Sequence, residues 1–362
     1  MRVHQMVASL SHGDAISNEA IRIRRILRGR GYESEIFAES VHSAMRGRAY
    51  PLWEYERVSS SDNVLILHFS IGAGVSSFAY RLPDRIMLIY HNITPARWFA
   101  PYQPRLAKLC YQGRRELAAF VDHTDLALGV SEFNRAELDA IGFHPTGVLP
   151  LLLDPEQLDV SPSPSILKMF DDDRTNLLFV GRVIPNKRFE DLIKVFYVYR
   201  TFIDPKSRLI LVGEYRGFEK YFDALMRLVD RLELPDVVFA GHVETEDLGA
   251  YYRVADVLLS LSEHEGFCAP LVEAFRFGVP VMAFDAGAVP ETLGGAGVLI
   301  REKQLEEIAE MAHLLAHDTE LRERVVEHQF RMLDLLDSQD VEERLIGFVE
   351  QVSNGSANRG RV

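Results

Sequence analysis

The chain has 362 residues and a formal net charge of −13, with 47% hydrophobic and 26% charged residues. This length is too great for a single hydrophobic core and suits two domains, and the composition is typical of a globular protein. The negative charge excludes a general electrostatic footprint for nucleic acids.

The charge is unevenly distributed along the chain. Residues 1–160 contain 17 Lys and Arg against 18 Asp and Glu, which leaves 23 against 35 for residues 161–362. No run approaches the ~18 apolar residues of a membrane span, and the N-terminus lacks the apolar core of a signal peptide. Cys110 and Cys268 offer neither a disulfide framework nor metal-ligand spacing. We therefore expect a cytoplasmic protein with reduced thiols.

Short apolar runs alternate with helical stretches, which is typical of βα units that feed parallel sheets. In the first half the predicted strands are Val3–Ser9, Glu35–Ala38, Val64–Phe69, Ile86–His91, Leu126–Val130 and Gly147–Leu149, with helices at Asn18–Leu27 and Pro104–Phe120. In the second half the predicted strands are Leu177–Val180, Arg208–Val212, Val237–Ala240, Val257–Leu261, Val281–Phe284 and Gly297–Ile300. The pattern predicts an α/β protein with two doubly wound domains, which bind ligands at the carboxyl ends of their strands.

The boundary between the domains is predicted in Leu153–Asp173, where prolines, serines and aspartates form the most linker-like composition of the chain. We assign residues 1–160 to the first domain and residues 161–335 to the second. A C-terminal helix follows at 336–353. The polar residues 354–362 form a flexible tail.

Two cations follow the first strand of the second half. Asn176–Lys187 reads as a buried strand and then a glycine turn at Gly181 that carries Arg182 and Lys187. An arginine fork and a lysine point charge on a strand-exit loop can reach a diphosphate. The alternative is a solvated loop, because most loop cations have no specific partner.

A second motif lies further along, in Glu263–Ala274, where Glu265 and Glu273 bracket a predicted helix start. Pro270 suits the first helical position, since its missing N–H costs nothing there. The free amides of the next two residues then add to the positive end of the helix dipole. The motif predicts a diphosphate seat between two carboxylates that each accept hydrogen bonds from a vicinal diol. An ordinary helix start with acidic residues is the alternative.

Together, Gly181-Arg182…Lys187 and Glu265-x7-Glu273 resemble the donor site of the retaining glycosyltransferases of family 4. The resemblance covers most of the chain and implies the GT-B fold, with two Rossmann-like domains that face a deep crevice. It implies an acceptor-side N-terminal domain and a C-terminal domain that binds a nucleotide diphosphate sugar. It also implies that the last helix crosses back to the first domain.

The resemblance implies a set of donor-binding residues, with Gly241–Val243 beside the nucleotide base. This set comprises Gly181, Arg182, Lys187, Gly241, His242, Val243, Glu265, Gly266, Phe267, Leu271, Val272 and Glu273. Within it, Arg182 and Lys187 hold the diphosphate, Glu273 the ribose and Glu265 the transferred hexose. Arg182, Lys187 and Glu265 are therefore predicted catalytic residues, together with His91.

His91 lies at the end of a predicted buried strand, where the family has a histidine that contacts the transferred sugar. A core histidine satisfied by the backbone is the alternative, and His68 ends the preceding strand in the same way. The loop after the first strand carries His12, Gly13 and Asp14, which are candidates to bind acceptor hydroxyls. The family loop is richer in glycine, so an ordinary loop before a helix capped by Ser17 or Asn18 is equally compatible.

Two features of the first half suggest weak peripheral contact with the inner membrane face. Arginines alternate with apolar residues in Ile21–Leu27, and Arg97–Tyr102 places aromatic residues beside a cation. A solvated arginine face is the commoner origin of such a helix.

The resemblance implies retaining transfer of a hexose to a saccharide or lipid-linked acceptor, in polysaccharide, glycolipid or glycoconjugate biosynthesis. We expect no cofactor and no metal, because no short Asp-x-Asp pattern stands ahead of a strand end and two cations are available for the leaving diphosphate. A nucleotide-sugar isomerase or hydrolase with the GT-B fold and a non-catalytic nucleotide-sugar binding protein are the alternatives. A Rossmann dehydrogenase is disfavoured, since no Gly-x-Gly-x-x-Gly follows a strand.

Overall fold

A computed structural model describes residues 1–153, 160–338 and 340–355. The chain forms two compact units. The first unit comprises Met1–Ala96, Arg105–Asp154 and Asp340–Val362, and the second comprises Arg97–Pro104 and Pro155–Gln339. The predicted linker includes residues 154–159, and most of the predicted tail follows residue 355, so both lie partly outside the described residues.

The first unit is built on a parallel sheet with the strand order β3-β2-β1-β4-β5-β6-β7. Its strands are β1 (Val3–Leu10), β2 (Ile36–Val41), β3 (Tyr50–Pro51), β4 (Val64–Phe69), β5 (Arg85–Tyr90), β6 (Leu126–Gly129) and β7 (Thr146–Val148). Its helices are α1 (Ala15–Gly29), α2 (Gly74–Ala79), α3 (Pro104–Ala119), α4 (Glu132–Ile141) and, from the end of the chain, α13 (Val341–Asn354). Every residue of β4 is buried between β1 and β5, which explains its continuous apolar sequence.

The second unit has a parallel sheet with the order β10-β9-β8-β11-β12-β13. Its strands are β8 (Thr175–Val180), β9 (Ser207–Val212), β10 (Val237–Gly241), β11 (Val257–Ser260), β12 (Val281–Phe284) and β13 (Val298–Ile300). Its helices are α5 (Pro164–Met169), α6 (Phe189–Val198), α7 (Glu219–Arg231), α8 (Thr245–Val254), α9 (Ala269–Arg276), α10 (Val289–Leu293), α11 (Leu305–His317) and α12 (Thr319–Ser338). The prediction of an α/β fold with two doubly wound parallel sheets is confirmed.

The first helix begins earlier than the sequence predicts. α1 starts at Ala15, and Asp14 caps it by accepting hydrogen bonds from the Ser17 amide at 3.0 Å and the Ser17 hydroxyl at 2.8 Å. The predicted cap at Ser17 or Asn18 is therefore wrong. Asp14 already serves the helix start, which lowers its availability for an acceptor hydroxyl.

Helix α13 packs within the first unit. Arg344 donates to the Val148 carbonyl at 2.6 Å, and Glu342 pairs with Arg22 of α1 at 3.1 Å. A β-carbon on Gly147 would lie 3.1 Å from the Phe348 ring, so the end of the chain sits close against β7.

The arginine-rich part of α1 and the aromatic segment 97–102, which suggested membrane contact, make contacts within the protein. In α1, Arg28 donates to the Ser34 carbonyl at 2.9 Å and Arg22 pairs with Glu342 at 3.1 Å. In the 97–102 segment, Phe99 is only 4% exposed and packs on Phe218. None of the helices in the described part of the chain is long and apolar enough to cross a membrane. The predicted membrane contact therefore has no structural support.

Candidate functional site

In the second unit, the two sequence motifs meet at the point where the strand order reverses. β9 and β10 lie on one side of β8, and β11, β12 and β13 lie on its other side. The loops that leave β8 and β11 therefore diverge above the sheet, and doubly wound sheets bind ligands at this place. Arg182 and Lys187 follow β8, and Glu265 follows β11.

The centre of this site is an ion pair between Lys187 and Glu265. The Lys187 ammonium donates to both carboxylate oxygens of Glu265, at 2.6 and 2.7 Å. Glu265 is 6% exposed and the Lys187 side chain 17%. Burial opposes the charged form of Lys187, but the Glu265 carboxylate outweighs it and raises the lysine pKa above its usual value. Glu265 therefore stabilises the charged form of the buried Lys187 ammonium.

Asn186 joins the two loops that carry this pair. Its carbonyl accepts from the Glu263 amide at 2.8 Å, and its side-chain amide donates to the His264 carbonyl at 3.1 Å. Both bonds lie one or two residues from the ion pair. They fix the distance between Lys187 and Glu265 through the backbone, so the pairing does not depend on side-chain flexibility alone.

The loop at Glu265 is also supported from the other side, by the segment after β12. A β-carbon on Gly287 would lie 2.2 Å from the Glu265 carbonyl oxygen, and the backbone there is left-handed with φ +59°. The Ala288 amide donates to the same carbonyl at 3.0 Å. Glycine is required here, because any side chain would push the Glu265 loop away.

Arg182 lies on the opposite side of the β8 exit and does not touch the ion pair. Its guanidinium donates to the Arg216 carbonyl at 3.1 Å and lies 5.6 Å from the Phe218 ring centre. The side chain is exposed. A β-carbon on Gly213 would lie 1.9 Å from the Gly181 carbonyl, so the β8 and β9 exits are closely packed beneath it. Arg182 is thus a solvent-accessible cation on a rigid base.

Glu273 lies in α9, and a tyrosine that the sequence analysis missed holds it. The Tyr252 hydroxyl donates to Glu273 Oε2 at 2.7 Å. Tyr252 is fully buried and stacks on Phe277 at 5.1 Å. Burial raises the pKa of Glu273, and the hydroxyl bond opposes that rise. One carboxylate oxygen is thereby fixed, and the hydrogen bond orients the other.

The helix start differs in detail from the prediction. α9 begins at Ala269, so Pro270 is its second residue, and Cys268 precedes it in a left-handed conformation with φ 71°. The Leu271 amide donates to the Cys268 carbonyl at 3.1 Å. The expectation that this amide is free is therefore wrong. Burial, followed by the Glu265 carboxylate, raises the pKa of the Cys268 thiol well above its usual value, which leaves the thiol neutral.

The remaining predicted donor residues are spread along the same edge of the sheet. Gly241 ends β10, the edge strand, with φ +71°, and His242 after it is exposed. Phe267 lies two residues before α9, and its carbonyl accepts from the Thr292 hydroxyl. Val243 and Gly266 lie in the loops after β10 and β11. These positions fall at carboxyl ends of parallel strands, the edge at which ligands bind.

In the first unit, the predicted His91 belongs to a buried cluster with His68 and Glu19. His91 Nε2 lies 3.0 Å from His68 Nδ1 and 3.5 Å from Glu19 Oε2. Burial lowers the pKa of His68 to about 3, and burial together with His68 lowers the pKa of His91 well below 6.5. Burial also raises the pKa of Glu19 to about 8, against the opposing amide bond from Leu152. The cluster is therefore mainly neutral at pH 7.

Glu19, His68 and His91 are also the group with metal-ligand spacing among the described residues, since their ligand atoms lie within 4.8 Å of one another. The ring geometry favours a different interaction. The ring centres are 5.2 Å apart and the ring planes make an angle of 18°. With the two nitrogens 3.0 Å apart, the centres can be this far from each other only if both nitrogens lie close to the line that joins the centres. The two nitrogens therefore point at each other along the line between the rings, as in an N–H···N hydrogen bond. Ligands that share one cation point at the cation instead.

The predicted acceptor-side residues follow β1. Gly13 has a left-handed φ of +71°, as a tight turn requires. His12 and Gly13 are both exposed, whereas Asp14 is partly buried and caps α1.

The second unit contains the part of the chain that matches a known protein family. Residues 168–332 match the sequence profile of the family described as "Glycosyl transferases group 1". The chain is 29% identical over 208 residues to the O-antigen chain mannosyltransferase B of Escherichia coli, a match that covers 56% of this chain and 53% of that protein. The chain thus spans about half the length of this curated relative.

Solved structures resemble the whole chain. The sucrose-phosphate synthase of Thermosynechococcus elongatus has a TM-score of 0.76 at 16% identity, over 98% of this chain and 100% of its own. HepE of Anabaena, solved in complex with UDP and glucose, has a TM-score of 0.74 at 16% identity, again over 98% and 100%. At this identity the likeness shows the fold alone, which is the GT-B fold.

Proposed function

We propose that the chain is a retaining hexosyltransferase of family 4, because residues 168–332 match the profile described as "Glycosyl transferases group 1" and the fold is GT-B. It transfers a hexose from a nucleotide diphosphate sugar to a saccharide or lipid-linked acceptor in glycoconjugate biosynthesis. The observation that carries the proposal is the buried Lys187–Glu265 pair at the switch point of the second sheet. Arg182 lies on the loop after β8, and Glu273 lies in α9.

The chemistry follows from what sugar transfer needs. The sugar becomes cationic and oxocarbenium-like while the nucleoside diphosphate leaves with negative charge. Lys187 and Arg182 supply positive charge to that leaving group, since charge-assisted hydrogen bonds to phosphate are short and strong. In this assignment the protein's own cations stabilise the leaving group, so we propose that transfer does not depend on a metal. The enzyme acts in the cytoplasm.

The two carboxylates have separate roles. Glu273, oriented by Tyr252, accepts hydrogen bonds from the ribose diol, and Glu265 contacts the hexose while it holds Lys187. Retention follows from attack on the face that the leaving group vacates, with the leaving phosphate as base. This path needs no protein nucleophile. His91 contacts the transferred sugar.

One sequence relative and one protein of similar fold suggest which donors to test. The E. coli relative is a mannosyltransferase, and the Anabaena structure contains UDP and glucose. Mannose and glucose are both hexoses with the vicinal diols that a carboxylate binds. Other mannosyltransferases that match this chain are described as GDP-mannose-dependent, so GDP-mannose and UDP-glucose are the first donors to test.

The test begins with thermal stabilisation of the full chain by GDP, UDP and ADP. A nucleotide at one hundred times its dissociation constant stabilises the folded protein by about 2.7 kcal/mol. The matching nucleotide sugar is then incubated with and without chelator, and release of the nucleoside diphosphate is measured. Lys187→Met should abolish stabilisation, whereas Lys206→Met, which alters a lysine that is 69% exposed, should not. Absence of stabilisation by every nucleotide, or equal stabilisation of Lys187→Met, would remove the proposal.

A further inference from the structure

His91 lies at the end of a chain of hydrogen bonds that starts at the backbone of α1. The Gln5 side-chain amide donates to the Ala20 carbonyl at 3.0 Å. Gln5 Oε1 lies 3.0 Å from His68 Nε2, and His68 Nδ1 lies 3.0 Å from His91 Nε2. Gln5 is fully buried and His68 is 3% exposed, so water does not compete for these bonds.

The direction of each bond follows from the first. The Ala20 carbonyl only accepts, so the amide nitrogen of Gln5 faces it and the amide oxygen faces His68. His68 Nε2 must therefore carry the proton. A neutral imidazole has one N–H, which makes His68 Nδ1 an acceptor and requires the proton between the rings to sit on His91 Nε2.

This order leaves His91 Nδ1 as an acceptor. Within the described residues His91 Nδ1 makes no hydrogen bond. The side chain of His91 is 4% exposed, whereas the side-chain atoms of His68 are fully buried. An acceptor nitrogen binds an O–H or N–H group and repels a phosphate oxygen, which also carries only lone pairs. The side chain therefore suits a hydroxyl of a sugar and does not suit the diphosphate.

We propose that Gln5 and His68 are positioning residues that hold His91 in the Nε2-protonated form, so that Nδ1 accepts a hydrogen bond from a hydroxyl of the transferred sugar. The proposal rests on the proposed function for the identity of the ligand. The tautomer itself is a property of the first unit and does not depend on activity.

The tautomer is tested first, by ¹⁵N NMR of the full chain labelled at histidine, because the spectrum distinguishes protonated from unprotonated ring nitrogens. Single His68→Gln and His91→Gln variants assign the signals. We expect His91 to be protonated at Nε2 alone in the wild type, and to populate both tautomers in Gln5→Leu. Gln329→Leu is the matched control, since Gln329 is another fully buried glutamine with both ends of its amide bonded. Protonation of His91 at Nδ1 in the wild type, or an unchanged spectrum in Gln5→Leu, would overturn the proposal.

The consequence for transfer is tested by kinetics with GDP-mannose and UDP-glucose. Gln5→Leu should lower kcat about tenfold, the value of one hydrogen bond of about 1.4 kcal/mol, while the KM for the donor stays within twofold. Adding Gln5→Leu to His91→Ala should cause no further loss of kcat, because Gln5 and His68 then have no imidazole to orient. A merely structural role for Gln5 would instead lower kcat in both backgrounds, which overturns the proposal.

The two experiments separate the two ways of failing. If neither nucleotide sugar turns over, the proposed function fails, and the NMR result still decides whether Gln5 and His68 fix the tautomer of His91. A series of deoxyfluoro analogues of the active donor identifies the hydroxyl. Fluorine cannot donate, so the analogue at that position should lose about tenfold in kcat with the wild type and nothing with His91→Ala. Equal losses in both proteins at every position would show that His91 accepts no sugar hydroxyl.

Discussion

Removing the negative charge of Glu265 should make the second unit bind a nucleoside diphosphate more tightly. Two of the three Lys187 N–H groups donate to the Glu265 oxygens, so a diphosphate that takes more than one hydrogen bond from the lysine must compete with the carboxylate. Glu265→Gln keeps the shape and leaves a buried cation without a counter-charge. Removing one partner of a buried pair destabilises a protein by about 3–5 kcal/mol, and a diphosphate that restores the pairing recovers part of this loss.

The magnitude follows from the bond that the diphosphate gains. A hydrogen bond to a charged group contributes about 1.5–3 kcal/mol, so the affinity of Glu265→Gln for UDP or GDP should rise at least tenfold. Turnover of the nucleotide sugar should nevertheless fall, since Glu265 no longer contacts the hexose as a carboxylate. Isothermal titration calorimetry measures the first effect, and steady-state kinetics the second.

Two variants show whether the gain in affinity comes from the released lysine. Glu263→Gln removes a nearby charge that pairs with Lys303 and Arg188 rather than with Lys187, so it reports the general effect of lowering negative charge. Lys187→Met in the Glu265→Gln background should cancel the gain. Competition for Lys187 is refuted if Glu265→Gln binds nucleoside diphosphate no better than the wild type, or if Glu263→Gln gains as much.

Three further outcomes are expected. Arg182→Ala should weaken binding of the nucleotide sugar at least tenfold by calorimetry, because one charge-assisted bond is lost. Tyr252→Phe should lower the affinity for free nucleotide about tenfold, because Glu273 loses the hydroxyl that orients it. The tautomer of His91 should not change. Glu19→Gln should stabilise the first unit increasingly as pH rises from 4.5 to about 8, by up to roughly 5 kcal/mol. In that interval the unfolded carboxyl has lost its proton and the buried one retains it, so wild-type stability falls. Denaturant titrations at pH 5 and pH 8 measure the difference, and parallel curves for the two proteins would contradict it.

The strands of both sheets could be predicted because burial on two faces leaves a continuous apolar run. Val64–Phe69 and Val281–Phe284 have the bounds that the pattern predicts. The missed strand, Tyr50–Pro51, is a two-residue edge strand with a proline, so it has neither the length nor the pattern of the others. The wrong cap of α1 arose because Asp14, Ser17 and Asn18 are all good caps, and apolar periodicity does not locate the first turn to within three residues.

The sequence could predict which residues follow β8 and β11 at the switch point of the second sheet, but it could not predict their pairings. Arg182 and Lys187 share one loop, and in the structure they have different partners on opposite sides of the β8 exit. Tyr252 lies in an ordinary buried helix position, and only its contact with Glu273 distinguishes it. Gln5 lies inside an apolar strand. The signal that could have identified it is the polar residue itself, since a fully buried amide requires partners.

Under the proposed function, the opposite charges of Lys187 and Glu265 affect both the binding of the donor and the release of the product. A lysine alone at a switch point would be costly to bury and would hold any phosphate tightly, including the product. Glu265 keeps Lys187 charged and ordered before the donor arrives, and it competes with the diphosphate for the same N–H groups afterwards. In the proposed reaction that competition would act on the departing nucleoside diphosphate as well as on the donor, so we expect the ion pair to favour release of product. A buried carboxylate beside a phosphate-binding lysine therefore suits an enzyme that must turn over better than it suits a protein that only binds.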